Sequence, residues 1–432
     1  MSARENRHRV VITGVGWVTP MGHDLDTVWG GLLSGGTGIS PTGLFDADTF
    51  PTTFSAQVKD YDPANFIDMD RFAGVGRNTR FALGAAKQAW DMAGLDGVDT
   101  SRVGIYLGSG EGSLDYDAYT SAALRAWNSE SREVDMKRWA EVAAELMNAT
   151  REHEQEPNMP MCHVARLFDL RGPSFNCLTA CAASCQAIGE GASILRRGDA
   201  DAMVVGGAHS MIHPFGVTGF NRLTALSEKN DNPRGASRPF DANRGGFVLG
   251  EGSGMLVLET LESAQKRGAT ILAEVLGYGS TADAFRITDQ HPEGTGAATA
   301  MQLALDDAGL APSAVDYINA HGTGTKENDR TETMAIKTVF GDAAKSTPVS
   351  SIKSMMGHLI AAAGAVELIT CVLAIRDRVL PPTTNYETPD PECDLDYVPN
   401  ESRKADKLDI AMSNNFGFGG QNDTIVIGRY AD

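Results

Sequence analysis

Hydrophobic and polar positions along the chain fall into two alternating textures. Short apolar runs rich in β-branched residues, Val10 to Thr13, Val103 to Leu107 and Ala202 to Val205, predict buried strands. Ala- and Leu-rich stretches such as Phe81 to Ala93 predict helices between them. After about residue 260 the alternation restarts, with strands predicted at Ile271 to Leu276, Tyr317 to Ala320, Val349 to Ser351 and Thr424 to Ile427. This is an α/β pattern in two similar halves, 1–265 and 266–432, joined near 260 to 275. Between Gly112 and Pro160 the texture changes: charges cluster, and Trp139, Val142, Ala143, Leu146 and Met147 recur at helical spacing. The stretch at about 113–165 therefore predicts an amphipathic excursion from the main fold.

Bulk properties narrow the function classes. At 432 residues, with 42% hydrophobic and 22% charged positions, the chain falls in the globular range and can bury a large core. A net charge of −19 would repel phosphate backbones and anionic lipid surfaces, which argues against a nucleic-acid or membrane role. The opening run, MSARENRHRVVITGVG, lacks the long apolar core of a signal peptide, so a cytoplasmic location is expected. Six cysteines without CxxC spacing suggest neither a disulfide framework nor a zinc site, and most are expected to be reduced and buried.

Three segments concentrate residues with chemical potential. Gly172-Pro-Ser-Phe-Asn-Cys-Leu-Thr-Ala-Cys181 passes from an extended run into a helix-like stretch, Ala182 to Arg197, so Cys181 falls at a helix N-terminus, where unpaired N–H groups favour a thiolate. On its own Cys181 reads first as a buried core cysteine, and the neighbouring motifs overturn that reading. Tyr317-Ile-Asn-Ala-His321-Gly-Thr-Gly-Thr places His321 where a strand opens into a loop, the usual address of α/β sites. Ser350-Ser-Ile-Lys353-Ser-Met-Met-Gly-His358 repeats the pattern: a strand, a Lys-bearing loop, then a histidine entering an Ala-rich helix. Near the C-terminus, Asn414-Asn-Phe-Gly417-Phe418-Gly-Gly reads as a loop whose glycines let backbone N–H groups approach a ligand. Gly14-Val-Gly and Gly108-Ser-Gly lack the third glycine of a dinucleotide fingerprint. His209 and His213 read as satisfied structural histidines.

Taken together, Leu178-Thr-Ala-Cys181-Ala-Ala-Ser, Asn319-Ala-His321-Gly-Thr, Lys353-Ser-Met-Met-Gly-His358 and Phe416-Gly-Phe-Gly-Gly resemble the elongating β-ketoacyl-acyl-carrier-protein synthases, in order and approximate interval, over nearly the whole chain. Only about 113 to 165 departs strongly. The resemblance implies a thiolase-like fold, two similar halves in a five-layered αβαβα arrangement, acting as a homodimer with an acyl carrier protein as partner. It implies that Cys181 accepts an acyl group, and that a malonyl thioester then loses CO2 and attacks it. His321 and His358 would stabilise the enolate, and backbone N–H groups of Cys181 and Phe418 would hold the oxyanion of acyl transfer. By the same resemblance Lys353 and Glu332 form a charged pair that orients His358, Phe418 with Gly417 beside it belongs to the oxyanion hole and gate, and Phe220 lies at the entrance; both aromatics could instead be core. Glu367 matches a position given to packing and pairing. The substrates arrive on phosphopantetheine, and neither a metal nor another cofactor is expected. Arg71, Arg77 and Arg80 are candidates for docking the acidic carrier, although a solvated face is an equal reading.

Rival readings separate on single residues. A thiolase would use a second cysteine with one histidine, and the initiating synthases place asparagine where His358 stands. A chain-length-setting partner of a type II polyketide heterodimer would lack the nucleophile that Cys181 supplies. The acyl chain and the pathway, fatty acid or polyketide, are not written in these motifs.

Overall fold

The computed structural model describes residues 7–431; residues 1–6, on which the expectation about a leader partly rests, lie outside it. Ten strands form one hydrogen-bonded sheet: β1 Val10–Val18, β2 Val103–Ser109, β3 Ser174–Cys177, β4 Ala202–His209, β5 Gly252–Thr260, β6 Ala273–Ala282, β7 Tyr317–Asn319, β8 Val349–Ser350, β9 Ile410–Phe416 and β10 Gln421–Gly428. The helices that frame it are α1 Arg77–Ala93, α2 Ala183–Arg196, α3 Pro214–Arg222, α4 Thr295–Ala308, α5 Lys326–Phe340 and α6 Ala363–Asp377.

Strand order exposes a duplication. Across the sheet it runs β3-β2-β4-β5-β1, then β6-β10-β9-β7-β8, so each half uses its five strands in the same arrangement. Pairing directions match as well: β4 joins β2 in parallel and β5 antiparallel, as β9 joins β7 and β10. Only three residue pairs, Val10 with Val275, Val11 with Glu274 and Ile12 with Ala273, couple the halves across β1 and β6.

Helices α2 and α6 pack on each other between the two halves of the sheet; α1 covers the outside of the first half, α4 and α5 that of the second. The result is an αβαβα sandwich, the thiolase-like arrangement. Burial follows the layers: Ala363 to Ile375 of α6 is buried on every side, as a helix in a middle layer must be. Gly14 and Gly16, which fall beyond the run predicted as the first strand, lie inside β1. A Cβ there would come within 2.0 Å of the Ala89 carbonyl and 2.3 Å of the Ala85 carbonyl on α1. Gly277 and Gly279 of β6 do the same for α4, at 2.1 Å each, so these glycines set strand-to-helix approach rather than a nucleotide site.

The divergent segment is helical, at Tyr116–Arg125, Met136–Leu146, Ala149–His153 and Met159–Phe168, with a small hairpin of Trp127–Asn128 and Glu133–Val134. Its predicted stripe closes a separate apolar cluster, Val142 and Ala143 with Ala122, Trp139, Leu146 and Met147. Buried Glu154 ties it to the start of α1, accepting from the Gly76 N–H at 2.9 Å and the Thr79 hydroxyl at 3.2 Å, and contacting His163 at 2.7 Å. Among the described residues no helix is long and apolar enough to cross a membrane.

Candidate active site

Strands β2, β3 and β4 run parallel, as do β7, β8 and β9, so their carboxyl ends gather the three predicted segments. Cys181 is the middle residue of a 3-10 turn, Ala180–Ala182, between β3 and α2. Ala180 is held at φ +49°, a left-handed conformation that a non-glycine residue adopts only under constraint. His321 follows β7 by two residues. Lys353 opens a short helix, Lys353–Met356, where a loop was expected. His358 is then strapped across the halves, its N–H donating to the Val248 carbonyl at 2.7 Å and its carbonyl accepting from the Gly250 N–H at 2.9 Å.

Potential ligand atoms of Cys181, His321 and His358 lie within 4.8 Å of one another, and all three residues are buried. Such a donor set could also hold a metal ion, with thiol and imidazole the ligands zinc favours. The two imidazoles meet edge to face at 5.3 Å. His358 Nδ1 accepts the Ile360 N–H at 3.2 Å, which assigns its proton to Nε2, and Nε2 has no partner among the described residues. Burial, and after it the Lys353 ammonium, hold both histidines well below the usual imidazole range. The site therefore presents neutral imidazole, with the free N–H of His358 available as a donor.

The thiol departs from expectation. Burial pushes Cys181 up to about 12, against smaller opposing contributions from Lys353 and from the Phe418 N–H. The helix N-terminus does not produce a resting thiolate here, because desolvation outweighs it. Deprotonation has to accompany attack, which gives the adjacent neutral imidazoles a second use.

The charged pair is rearranged too. Lys353 Nζ forms its ion pair with Glu367 Oε1 on α6, not with Glu332, and Glu367 Oε2 accepts from Asn415 Nδ2 at 2.6 Å. Glu332 instead grips the loop that carries the first histidine, Oε1 accepting from the His321 N–H at 2.9 Å and Oε2 from the Gly322 N–H at 2.8 Å. Burial raises Glu332 to about 7 despite those two donors. It positions His321, not His358. Asn414, which also donates to Glu332 at 3.3 Å, and Asn415 end β9; the loop begins only after Phe416.

Gly417 allows that loop onto the nucleophile turn, since a Cβ there would lie 2.7 Å from the Thr179 carbonyl. Phe418 follows, half-buried, in an apolar cluster with Cys181, Ile212, Val217, Phe247 and Ile360; Phe220 packs on the same cluster, edge-on to Phe247 at 5.5 Å. A cavity of about 450 Å³ opens from Cys181, His321 and His358 past Phe418. Thr323, Thr325 and Asn328 also line it. Sequence reasoning passed over these polar wall residues, whose signal was the doubled threonine of Gly-Thr-Gly-Thr.

Of the docking candidates, Arg77 is committed elsewhere: its guanidinium binds both oxygens of buried Glu251, at 2.5 and 2.8 Å, and the Val58 carbonyl. Arg71 and Arg80 are exposed. His209 is not satisfied as expected, for neither ring nitrogen has a partner among the described residues, whereas His213 Nδ1 accepts the Gly216 N–H and caps α3.

Comparison with known proteins places this geometry. Residues 7–264 match the family profile of the beta-ketoacyl synthase N-terminal domain, and residues 272–387 that of the C-terminal domain. The chain is 44% identical over 433 residues to a 3-oxoacyl-acyl-carrier-protein synthase 2 of Coxiella burnetii, covering 99% of this chain and 100% of that one. Among solved structures, a beta-ketoacyl synthase from Burkholderia phymatum superposes with a TM-score of 0.87 at 34% identity, over 98% of this chain and all of that one. A type II polyketide ketosynthase solved with its acyl carrier protein gives 0.86 at 32% identity, with the same coverage.

Proposed function

This chain belongs to the beta-ketoacyl synthase family, and from that premise we infer that it is a 3-oxoacyl-acyl-carrier-protein synthase, a condensing acyltransferase of fatty-acid synthesis. The observation that carries the reading is the convergence of a buried thiol and two neutral imidazoles beneath the Phe418 N–H.

The steps follow from the site. A carrier-bound acyl thioester enters the cavity and the sulfur of Cys181 attacks its carbonyl as the thiol proton leaves. Backbone N–H groups of Cys181 and Phe418 hold the tetrahedral oxyanion, each worth about 3 kcal/mol in comparable sites. Collapse expels the carrier thiol, which takes up the proton. A malonyl thioester then loses CO2; the electron pair left behind becomes an enolate whose oxygen accepts hydrogen bonds from His321 and His358. Its carbon attacks the acyl group on Cys181, and collapse releases the 3-oxoacyl thioester and expels the Cys181 thiolate, which takes up a proton from solvent to restore the thiol. Burial, and after it Lys353 paired with Glu367, keeps both imidazoles neutral, while Glu332 fixes the His321 loop. Phe418 gates the thiol, and Phe220 flanks the same entrance. Thioester and decarboxylation supply the electrophile and the carbanion, so the chemistry asks for no metal or resident cofactor.

The acidic carrier docks on this chain through exposed Arg71 and Arg80 in this reading. A homodimer is supported by β3: it is the last strand of the sheet, and Phe175 on it and Leu178 just after it are 50% and 58% exposed. The halves divide at 265/266. Cys181 disfavours the chain-length-factor alternative. Incubation with octanoyl-carrier protein tests the function: intact mass should rise by one octanoyl group on Cys181, and an unmodified Cys181 would refute it.

A further inference from the structure

His209 is wholly buried at the carboxyl end of β4, and neither ring nitrogen meets a hydrogen-bonding partner among the described residues. A neutral imidazole carries one donor and one acceptor, and leaving such groups buried and unmet costs about 1–3 kcal/mol each. Where folded chains keep such a group, a ligand or trapped water completes it.

Its direction is fixed by strand alternation. Ala202, Val204 and Ala208 of β4 face the cluster under α1, whereas Met203 and Val205 face the middle layer. Gly207 continues that inner face, where a Cβ would lie 2.5 Å from the Ala361 carbonyl and 2.7 Å from Ser184 Cβ, between the turns that end in α6 and α2. His209 is the next residue on this face, at the strand end beside the nucleophile turn. A charge on it would act on His358. Gly110 lies across the ring, so close that a Cβ there would stand 2.3 Å from Nδ1. Four residues on, half-buried His213 receives the Gly216 N–H at Nδ1, which leaves its own proton on Nε2; its ring is 6.5 Å from that of Tyr116. Ile212 and Val217 of the same segment pack into the apolar cluster that includes Cys181. Aliphatic side chains and two histidines thus share one segment beside the thiol, the histidines lying outside the set that lines the open cavity.

We propose that His209 is a specificity-determining residue for acylation, offering its free imidazole to acyl groups that carry a keto or hydroxyl oxygen and so selecting them over saturated chains of equal length. This rests on the acyl-transfer reading of Cys181. Burial, with His213 nearby, holds His209 down at about 3, so the ring keeps both a donor and a lone pair throughout the neutral range.

The test is a ratio of rates. Acylation of Cys181 by octanoyl-carrier protein and by its 3-oxo, 5-oxo and 7-oxo analogues is followed by intact mass on the full chain. The proposal expects at least one oxo analogue to be preferred about tenfold over octanoyl. In His209→Leu that ratio should fall about tenfold, and in His209→Gln, which keeps a donor and an acceptor, it should be partly restored. A wild type without preference for any oxo chain overturns the proposal even if neither variant folds. A ratio within twofold of wild type in His209→Leu overturns it too, including when both rates fall together. Failure of octanoyl to label wild-type Cys181 would instead contradict the acyl-transfer reading itself.

Discussion

The two halves carry the same strand-to-helix turn, and only one of them holds a nucleophile. In the first, β3 leads to Ala180-Cys181-Ala182 and α2; in the second, β8 and its short helix lead to Ile360-Ala361-Ala362 and α6. Backbones nearly coincide: φ is +49° at Ala180 and +45° at Ile360, while Ala182 and Ala362 sit at φ/ψ of −88°/−8° and −89°/−9°. Cys181 therefore corresponds to Ala361. The difference teaches that the strained turn is a property of the duplicated scaffold, and reactivity comes from the side chain placed on it. The second turn contributes differently, bringing His358 in on its approach and holding Lys353 one short helix earlier. Catalysis arises because α2 and α6 pack together and present both turns to one cavity.

This comparison can be broken most sharply at Cys181. Cys181→Ala makes the first turn resemble the second and should reduce condensation more than a thousandfold with no change of fold, checked by product formation and circular dichroism. Lys353→Met strands Glu367 in the middle layer and should lower unfolding free energy by about 3–5 kcal/mol in a denaturant titration. Ala361→Ser adds a hydroxyl to the unreactive turn and should acquire no acyl group by mass spectrometry. Glu332→Gln puts an amide donor against one of two backbone N–H groups and should cost about tenfold to a hundredfold in kcat/KM through a misplaced His321. The last effect concerns pH. Because burial raises Cys181 to about 12, thiolate grows about tenfold per pH unit below that value. Iodoacetamide labelling of Cys181 should accordingly climb steadily from pH 7 to 9, and a plateau near neutrality would show a thiolate already formed.

Most strands were legible because β-branched runs name them, yet their ends were not. The prediction stopped β1 at Thr13, whereas the strand continues through Gly14 and Gly16 to Val18, because those glycines answer to α1, far along the chain. Cys181, His321 and His358 could be found from strand-end positions and from the family resemblance. Their electrostatics could not, since burial of the thiol and the partnering of Lys353 with Glu367 depend on α6 packing against both halves. The partners of Glu332 were hidden for the same reason: its carboxylate turns back onto the loop that precedes its helix. His209 was misread because alternation along β4 gives a direction only once the middle layer is known.

Malonyl-carrier decarboxylation, measured side by side in Cys181→Ala and His358→Ala, tests the central claim most directly. The division of labour between the two turns predicts that CO2 release persists in Cys181→Ala and falls by about a hundredfold or more in His358→Ala. Equal loss of CO2 release in both variants would contradict it.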